Sequence, residues 1–372
     1  WTLLVFVQYH YGTLWLSGWG VHIIRYMTQG GLVRNLIICL LLMPSIAFAK
    51  NIDNSRKAEI LSDLKQEISE LYIIEKNIPQ ILASLSSLSS PDVLSELSDE
   101  NKFAEAINEK LKHFDKHFSL SWSNPNEISE NPQSESFWER LDRKNSGFSK
   151  AEILEGNIGY IEFWGFDRVN DKSEQRVATT MSFVSDTDAI IFDLRNNGGG
   201  SPKMVQLLGG YLFRQSTQLS SIYWRHSDET DDFWTFKKVK GKKLPEVPVY
   251  ILTSNETFSA AEAFAYDLQS LKRAVIVGET TLGGAHPMRF IDFGDGFVAG
   301  IPYGKAINPI TKKNWEWVGV TPDIKTSKDS ALETAYRAAL NKLLKVTRDE
   351  SQKTDIENKL KDLKVRLTKN KS

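Results

Sequence analysis

The sequence predicts an α/β fold: parallel strands with crossover helices, preceded by a small helical region. Two patterns carry this reading. From residue 159 onward strand-like and helical stretches alternate, as parallel strands joined by crossover helices require. Before residue 114 the apolar residues recur at spacings of three and four, the period of a helix. A third observation points to where function sits. Loops that follow predicted strands are rich in Gly, Ser and Asn, and α/β proteins place their sites at the carboxyl ends of parallel strands.

The chain has 372 residues, 41% apolar and 25% charged, the balance of a soluble globular protein. Its start departs from that balance. Met27 opens Met-Thr-Gln-Gly-Gly-Leu-Val-Arg34, an apolar run follows over residues 36–43, and Ala47-Phe-Ala49 precedes Lys50. A basic start, an apolar run too short to span a bilayer and an Ala-x-Ala pattern predict a cleaved secretory leader over residues 27–49. The expected location is therefore periplasmic or secreted. Residues 1–26, Trp-rich and upstream of Met27, read as a spurious translated extension, with a membrane-associated segment as the alternative.

Residues 1–49 carry Arg25 and Arg34 and no acid, so the remainder has 44 Lys and Arg against 47 Asp and Glu, a formal charge of −3. No nucleic-acid footprint accompanies such a balance, and no nucleic-acid partner is expected. The single cysteine, Cys39, lies in the apolar run of the leader. The exported chain is thus expected to have no disulfide, no thiol nucleophile and no Cys-ligated metal.

The elements follow in order. From Asp53 the positions Leu61, Leu64, Ile68 and Leu71 keep a helical period, which Pro79 is expected to close just after Ile78. A Ser-rich stretch, residues 84–90, leads to Pro91, suited to the first position of a short helix. Phe103, Ile107, Leu111 and Phe114 line one face of a further helix, so residues 50–120 read as a helical N-terminal domain. The pattern turns extended in Phe114-Asp-Lys-His-Phe-Ser-Leu120, which puts Asp115 and His117 at a boundary between elements. A lone histidine there is ordinarily a surface or capping residue, and His113 lies on the polar face of the helix.

Residues 121–154 read as a linker and bridging segment, its first part, to residue 136, a Ser-, Asn- and Pro-rich loop. Residues 155–346 form the predicted core. Its strands are Gly159-Tyr-Ile-Glu-Phe163, Ala189-Ile-Ile-Phe-Asp-Leu194, residues 247–252 and residues 274–277, with helices over 173–184, 203–213, 260–271 and 330–346. Residues 221–238 predict a hairpin turning at 228–232, where Trp224 and His226 either line a cleft or pack as ordinary hairpin residues. Residues 347–372 predict an amphipathic helical tail carrying Ile356, Leu360, Leu363 and Leu367.

Two loops hold the candidate chemistry. Ser254-Asn-Glu-Thr-Phe-Ser-Ala-Ala-Glu262 joins a strand to a helix, so the Ser259 hydroxyl can project while the first free helix N–H groups point at what it attacks. The same spacing fits a capping box, in which Ser259 and Glu262 only satisfy orphan N–H groups. In Asp193-Leu-Arg-Asn-Asn-Gly-Gly-Gly200 the glycines let the backbone approach a ligand. Neither dinucleotide nor P-loop spacing is present, and a plain tight turn is the other reading. Glu316, between Trp315 and Trp317, is an unusual setting for a carboxylate without a partner.

Four blocks, in this order, together resemble the tail-specific or carboxy-terminal processing serine proteases, peptidase family S41. They are Asp-Lys-His-Phe, Asp-Leu-Arg-Asn-Asn-Gly-Gly-Gly, Phe-Ser-Ala-Ala-Glu with Gly-Glu-Thr-Thr-Leu-Gly-Gly-Ala, and Trp-Glu-x-x-Gly-Val-x-Pro-Asp, and the resemblance spans residues 55–345. It implies a ClpP/crotonase-like βαβ spiral core behind a helical domain. The processing proteases of this family pair the serine with a lysine in the Gly-Glu-x-Thr-x-Gly-Lys block, where this chain has Gly284, and Lys272 falls too early to substitute. The tricorn-type version uses a histidine from the helical domain and a glutamate from the carboxy-terminal block, which match His117 and Glu316. Lys116 stands where that version has a serine. No PDZ domain is expected, since only roughly forty residues separate His117 from the first core strand.

The resemblance thus implies an exported serine endopeptidase acting on polypeptides. Ser259 would be the nucleophile, His117 the general base and Glu316 the group that orients or stabilises it, with the Gly200 and Ala260 N–H groups as oxyanion hole. His286, two residues beyond Gly284, is the rival base. No metal or organic cofactor is expected. The alternative is a non-catalytic secreted binding protein of the same fold, like the interphotoreceptor retinoid-binding modules, taking an apolar ligand or a peptide.

Overall fold

The computed structural model describes residues 8–9, 12–13, 52–124 and 136–369. The chain divides into residues 1–50 and 51–372. In the first, β1 (Gln8–Tyr9) pairs antiparallel with β2 (Gly12–Thr13); the expected leader, residues 27–49, lies outside the described residues. No helix among the described residues is long and apolar enough to cross a membrane.

The second unit begins with four helices, α1 (Asn54–Leu71), α2 (Ile78–Ser86), α3 (Pro91–Glu96) and α4 (Glu100–Leu111). Asp53, Ser90 and Asp99 cap α1, α3 and α4 with side-chain oxygens that accept from N–H groups of the first turn. Pro79 does not end a helix as expected. It opens α2, because the first turn needs no N–H from the residue that proline supplies. The apolar faces of these helices, Leu61, Leu64, Ile68, Phe103 and Ile107, pack on a three-stranded antiparallel sheet of β3 (Ser119–Trp122), β12 (Phe297–Pro302) and β11 (Met288–Gly294). The chain between α4 and β3 is therefore a tight turn, and it carries Asp115 and His117.

Residues 136–154, within the expected linker and bridging segment, hold α5 (Phe137–Arg143) and the strand β4 (Phe148–Leu154). β4 runs antiparallel to β5 (Ile158–Phe163) and edges a six-stranded sheet. Inward from it come β5, β6 (Ala189–Asp193), β9 (Val249–Thr253), β10 (Ala274–Gly278) and β14 (Ile324–Lys325), parallel to one another. The sheet is thus mixed rather than wholly parallel. A two-faced strand buries alternate residues on opposite sides. Ile190 and Phe192 of β6 accordingly face α6 (Asp171–Phe183), α7 (Pro202–Leu212) and α8 (Ala260–Ser270), while Ala189 and Ile191 face α9 (Ala331–Leu344) and α10 (Glu350–Lys369). The predicted hairpin is β7 (Gln218–Trp224) with β8 (Glu229–Trp234), extended on its other side by β13 (Gly304–Ile307).

Helix α8 is pinned to the sheet by Phe264, 1% exposed, whose ring lies 5.5 Å from that of Phe192 and 5.8 Å from that of Phe166. Replacing it, Phe264→Ala, is expected to cost about 3–5 kcal/mol. The measurement is a lower urea midpoint at unchanged slope in equilibrium unfolding.

Candidate active site

Three loops meet at the carboxyl edge of the parallel strands: residues 194–201 after β6, 254–259 after β9, and 279–287 after β10. The first two are laced together. The Thr257 hydroxyl donates to the Leu194 carbonyl at 2.8 Å, Ser254 Oγ to the Arg195 carbonyl at 2.5 Å, and the Phe258 N–H to the Asn197 carbonyl at 3.0 Å. Asn197, wholly buried, also gives its amide to the Phe163 carbonyl and takes the Gly199 N–H.

Ser259 sits at the N-cap of α8 with φ 55° and ψ −120°, a backbone state that costs a non-glycine residue about 1–3 kcal/mol. Glu262 holds it there. This fully buried carboxylate accepts from the Ser259 N–H (2.8 Å), the Gly283 N–H (2.7 Å), the Gly284 N–H (2.9 Å) and the Thr281 hydroxyl (2.5 Å). Ser259 and Glu262 do stand in capping-box relation, but the carboxylate makes the capping bond. The Ser259 hydroxyl instead lies 3.0 Å from His117 Nε2.

The glycine loop packs against this turn. A Cβ on Gly199 would lie 2.7 Å from Ser259 Cβ and 2.8 Å from the Ala260 nitrogen, so only glycine permits the approach. Phe166 bridges to the loop by hydrogen bonds with both neighbours of Gly200, through its N–H to the Gly199 carbonyl and its carbonyl to the Ser201 N–H. That pattern turns the N–H of Gly200 itself away from Phe166. Neither it nor the Ala260 N–H donates to another group among the described residues. The Gly198 and Gly199 N–H groups are already used, on the Trp164 carbonyl and Asn197, which disposes of a phosphate cradle.

His117 is 4% exposed, and its ring stacks on Phe258 with centroids 4.4 Å apart. Its N–H donates to Asp115 Oδ1 at 2.9 Å, whereas its Nδ1 is 3.8 Å from that oxygen and has no partner. Burial pushes the imidazole down to about 4, against the opposing pull of Asp115. The ring is therefore neutral at neutral pH, as a proton acceptor must be. His286 does not reach Ser259; its Nδ1 lies 2.6 Å from Asp115 Oδ2 and 3.6 Å from Glu316 Oε2.

Glu316 is half-buried beside this pair. Its Oε2 accepts from the Ala285 N–H at 2.5 Å and its Oε1 has no partner. Burial, with the negative Asp115 adding to it and His286 opposing, raises its carboxyl to about 7. One ligand atom each from Asp115, His117 and Glu316 lie within 4.8 Å of one another.

Gly284, the position where the processing proteases of the resemblance carry lysine, has no room for a side chain. Its Cβ would lie 2.2 Å from Phe258 Cε2 and 2.6 Å from His117 Cε1. Lys116 spans the outer surface, donating to the Leu282 carbonyl at 2.5 Å with its ammonium 4.9 Å from the Trp317 ring. His113 and His226 are exposed, and Trp224 packs as a hairpin residue, stacked on Tyr303. Asp115, Asn197, Phe258 and the reach of Glu262 are what the residue patterns left out. Asp115 alone had a signal, two positions from His117.

Residues 157–326 match peptidase family S41. The chain is 25% identical over 214 residues to a carboxyl-terminal-processing protease of Picosynechococcus sp., 55% of this chain and 48% of that one. It is 28% identical over 167 residues to carboxyl-terminal-processing peptidase 2, chloroplastic, of Arabidopsis thaliana, 45% of this chain and 31% of that one. The chain thus spans less than half the length of these curated relatives. Its fold is shared with a crystallised Parabacteroides merdae protein at TM-score 0.55 and 16% identity, covering 81% of this chain and 99% of the other.

Because burial sets the state of His117, NMR titration of its ring nitrogens should give a midpoint of about 4. Phe258→Ala, which opens the stacked face to water, should move that midpoint up toward the ordinary histidine value of about 6.5.

Proposed function

From the S41 region that the chain carries at residues 157–326, we propose a serine endopeptidase with Ser259, His117 and Glu316 as its working side chains. The observation that carries the reading is the 3.0 Å approach of Ser259 Oγ to His117 Nε2, formed between residues 142 positions apart. A helix cap needs no histidine, and a binding pocket needs no strained serine at a helix N-terminus. The binding-protein alternative explains neither.

In the proposed reaction Ser259 Oγ attacks the scissile carbonyl of a polypeptide as His117 Nε2 takes its proton. The oxyanion faces the Ala260 and Gly200 N–H groups; losing one such donor typically costs about 2.7–4 kcal/mol of transition-state stabilisation. The proton then passes from His117 to the leaving amine. The imidazolium formed in between needs a counter-charge in a buried place. Asp115 is near and already committed to the His117 N–H and His286, so Glu316, with its free Oε1, supplies the adjustable share. The chemistry calls on no metal or organic cofactor. Export rests on the leader-like residues 27–49 and remains part of the proposal.

Ser259→Ala and His117→Ala should each lower kcat on an unstructured polypeptide by on the order of 10⁶-fold, and a fluorophosphonate probe should label wild-type Ser259 only. A fully active His117→Ala variant, with His286→Ala inactive, would overturn the assignment. The pH profile gives a second check. A Glu316 carboxyl raised to about 7 is ionised only above that value, so kcat should fall as pH drops through about 7. Glu316→Gln should be slower and should lose that limb.

A further inference from the structure

Two buried polar atoms near the serine–histidine pair are left unpartnered, both in residues of one close cluster. His117 Nδ1 and Glu316 Oε1 are buried without hydrogen-bond partners, although each belongs to a group that strongly prefers one. Asp115 lies 3.8 Å from His117 Nδ1 through Oδ1. One donor atom from each of the three residues falls within 4.8 Å of the others, a spacing that one ion with bonds of about 2.0–2.2 Å can draw together.

We propose that Asp115, His117 and Glu316 form a binding site for a divalent transition-metal ion of the zinc type, and that the ion silences the hydrolytic site. One imidazole nitrogen and two carboxylate oxygens make a donor set suited to such an ion, with further positions left for water. The ligands are already oriented by an outer ring of hydrogen bonds. Asp115 is held by His286 Nδ1 at 2.6 Å and by the His117 N–H at 2.9 Å, and Glu316 by the Ala285 N–H at 2.5 Å. Two carboxylates also balance the ion's charge, which removes the cost of burying them beside each other.

The silencing follows from the tautomer. An imidazole bound through Nδ1 keeps its one proton on Nε2, the nitrogen that faces Ser259 Oγ at 3.0 Å. That nitrogen then has no lone pair for the serine proton. The binding half of the proposal stands apart from the peptidase reading, whereas the silencing half rests on it, and the experiment reads the two separately.

Co²⁺ and Zn²⁺ are titrated into the full chain carrying Ser259→Ala, which leaves all three ligands in place, with visible absorption and calorimetry as readouts. The expected result is one ion per chain, intense low-coordinate Co²⁺ bands that Zn²⁺ abolishes, and affinity at least about 100-fold weaker when Glu316→Gln is added. Zn²⁺ should raise the Tm of the Ser259→Ala chain, and Glu316→Gln should remove that rise. Unchanged affinity after Glu316→Gln, or no ion bound, overturns the site. In the wild type, Zn²⁺ should slow fluorophosphonate labelling of Ser259 at least 10-fold, with a chelator restoring it. Labelling at full rate by a chain with the ion bound overturns the silencing.

Discussion

A single buried carboxylate is the constraint on which the site depends. Glu262 has no access to water, and its two oxygens are filled by donors from Ser259, Thr281, Gly283 and Gly284. A buried carboxylate stripped of such partners would cost several kcal/mol, so the loops it joins cannot part without a penalty shared by all of them. The positive φ of Ser259 persists because its own N–H is one of those donors. The restraint travels further. Thr281 Oγ1 also accepts from the Val320 N–H at 2.7 Å, which ties in the segment that presents Glu316.

The same packing decides which side chain can face the serine. Phe258 and His117 stack in the volume that any side chain at residue 284 would enter. A lysine there and a histidine at 117 are mutually exclusive occupants of one space. Glycine at 284 and an aromatic residue at 258 are thus two parts of one solution, together with the buried turn between α4 and β3 that delivers His117. Burial then supplies the neutral imidazole, since the apolar surroundings disfavour its charged form more strongly than Asp115 favours it.

Much of the architecture was legible in the residues because its signals are local. Continuous apolar runs in buried strands such as Ala189-Ile-Ile-Phe-Asp193 and helical periods such as Leu61, Leu64, Ile68 are properties of contiguous stretches, and the elements appear where those patterns lie. The exceptions are also local in cause. Pro79 was legible as a helix breaker or a helix opener, and only the packing of α2 on its neighbours chose the second. The antiparallel β4 was missed because an edge strand, with residues 149–151 exposed, carries no clean apolar alternation.

By itself the sequence determined the α/β class, the strand-to-helix turn at Ser259, the glycine loop and the absence of lysine at residue 284. These are matters of composition and spacing. Only the tertiary structure decided which histidine faces the serine, because His117 and His286 are both candidates in one dimension. Their placement depends on contacts spanning 142 and 171 residues, to Ser259 and to Asp115. Only the fold revealed that Asp115 and Glu316 each bring an oxygen within 4.8 Å of a His117 ring nitrogen, and that two buried atoms there have no partners. The physical reason is that hydrogen-bond geometry and desolvation are set by neighbours in space, and no periodicity along the chain encodes which neighbours those are.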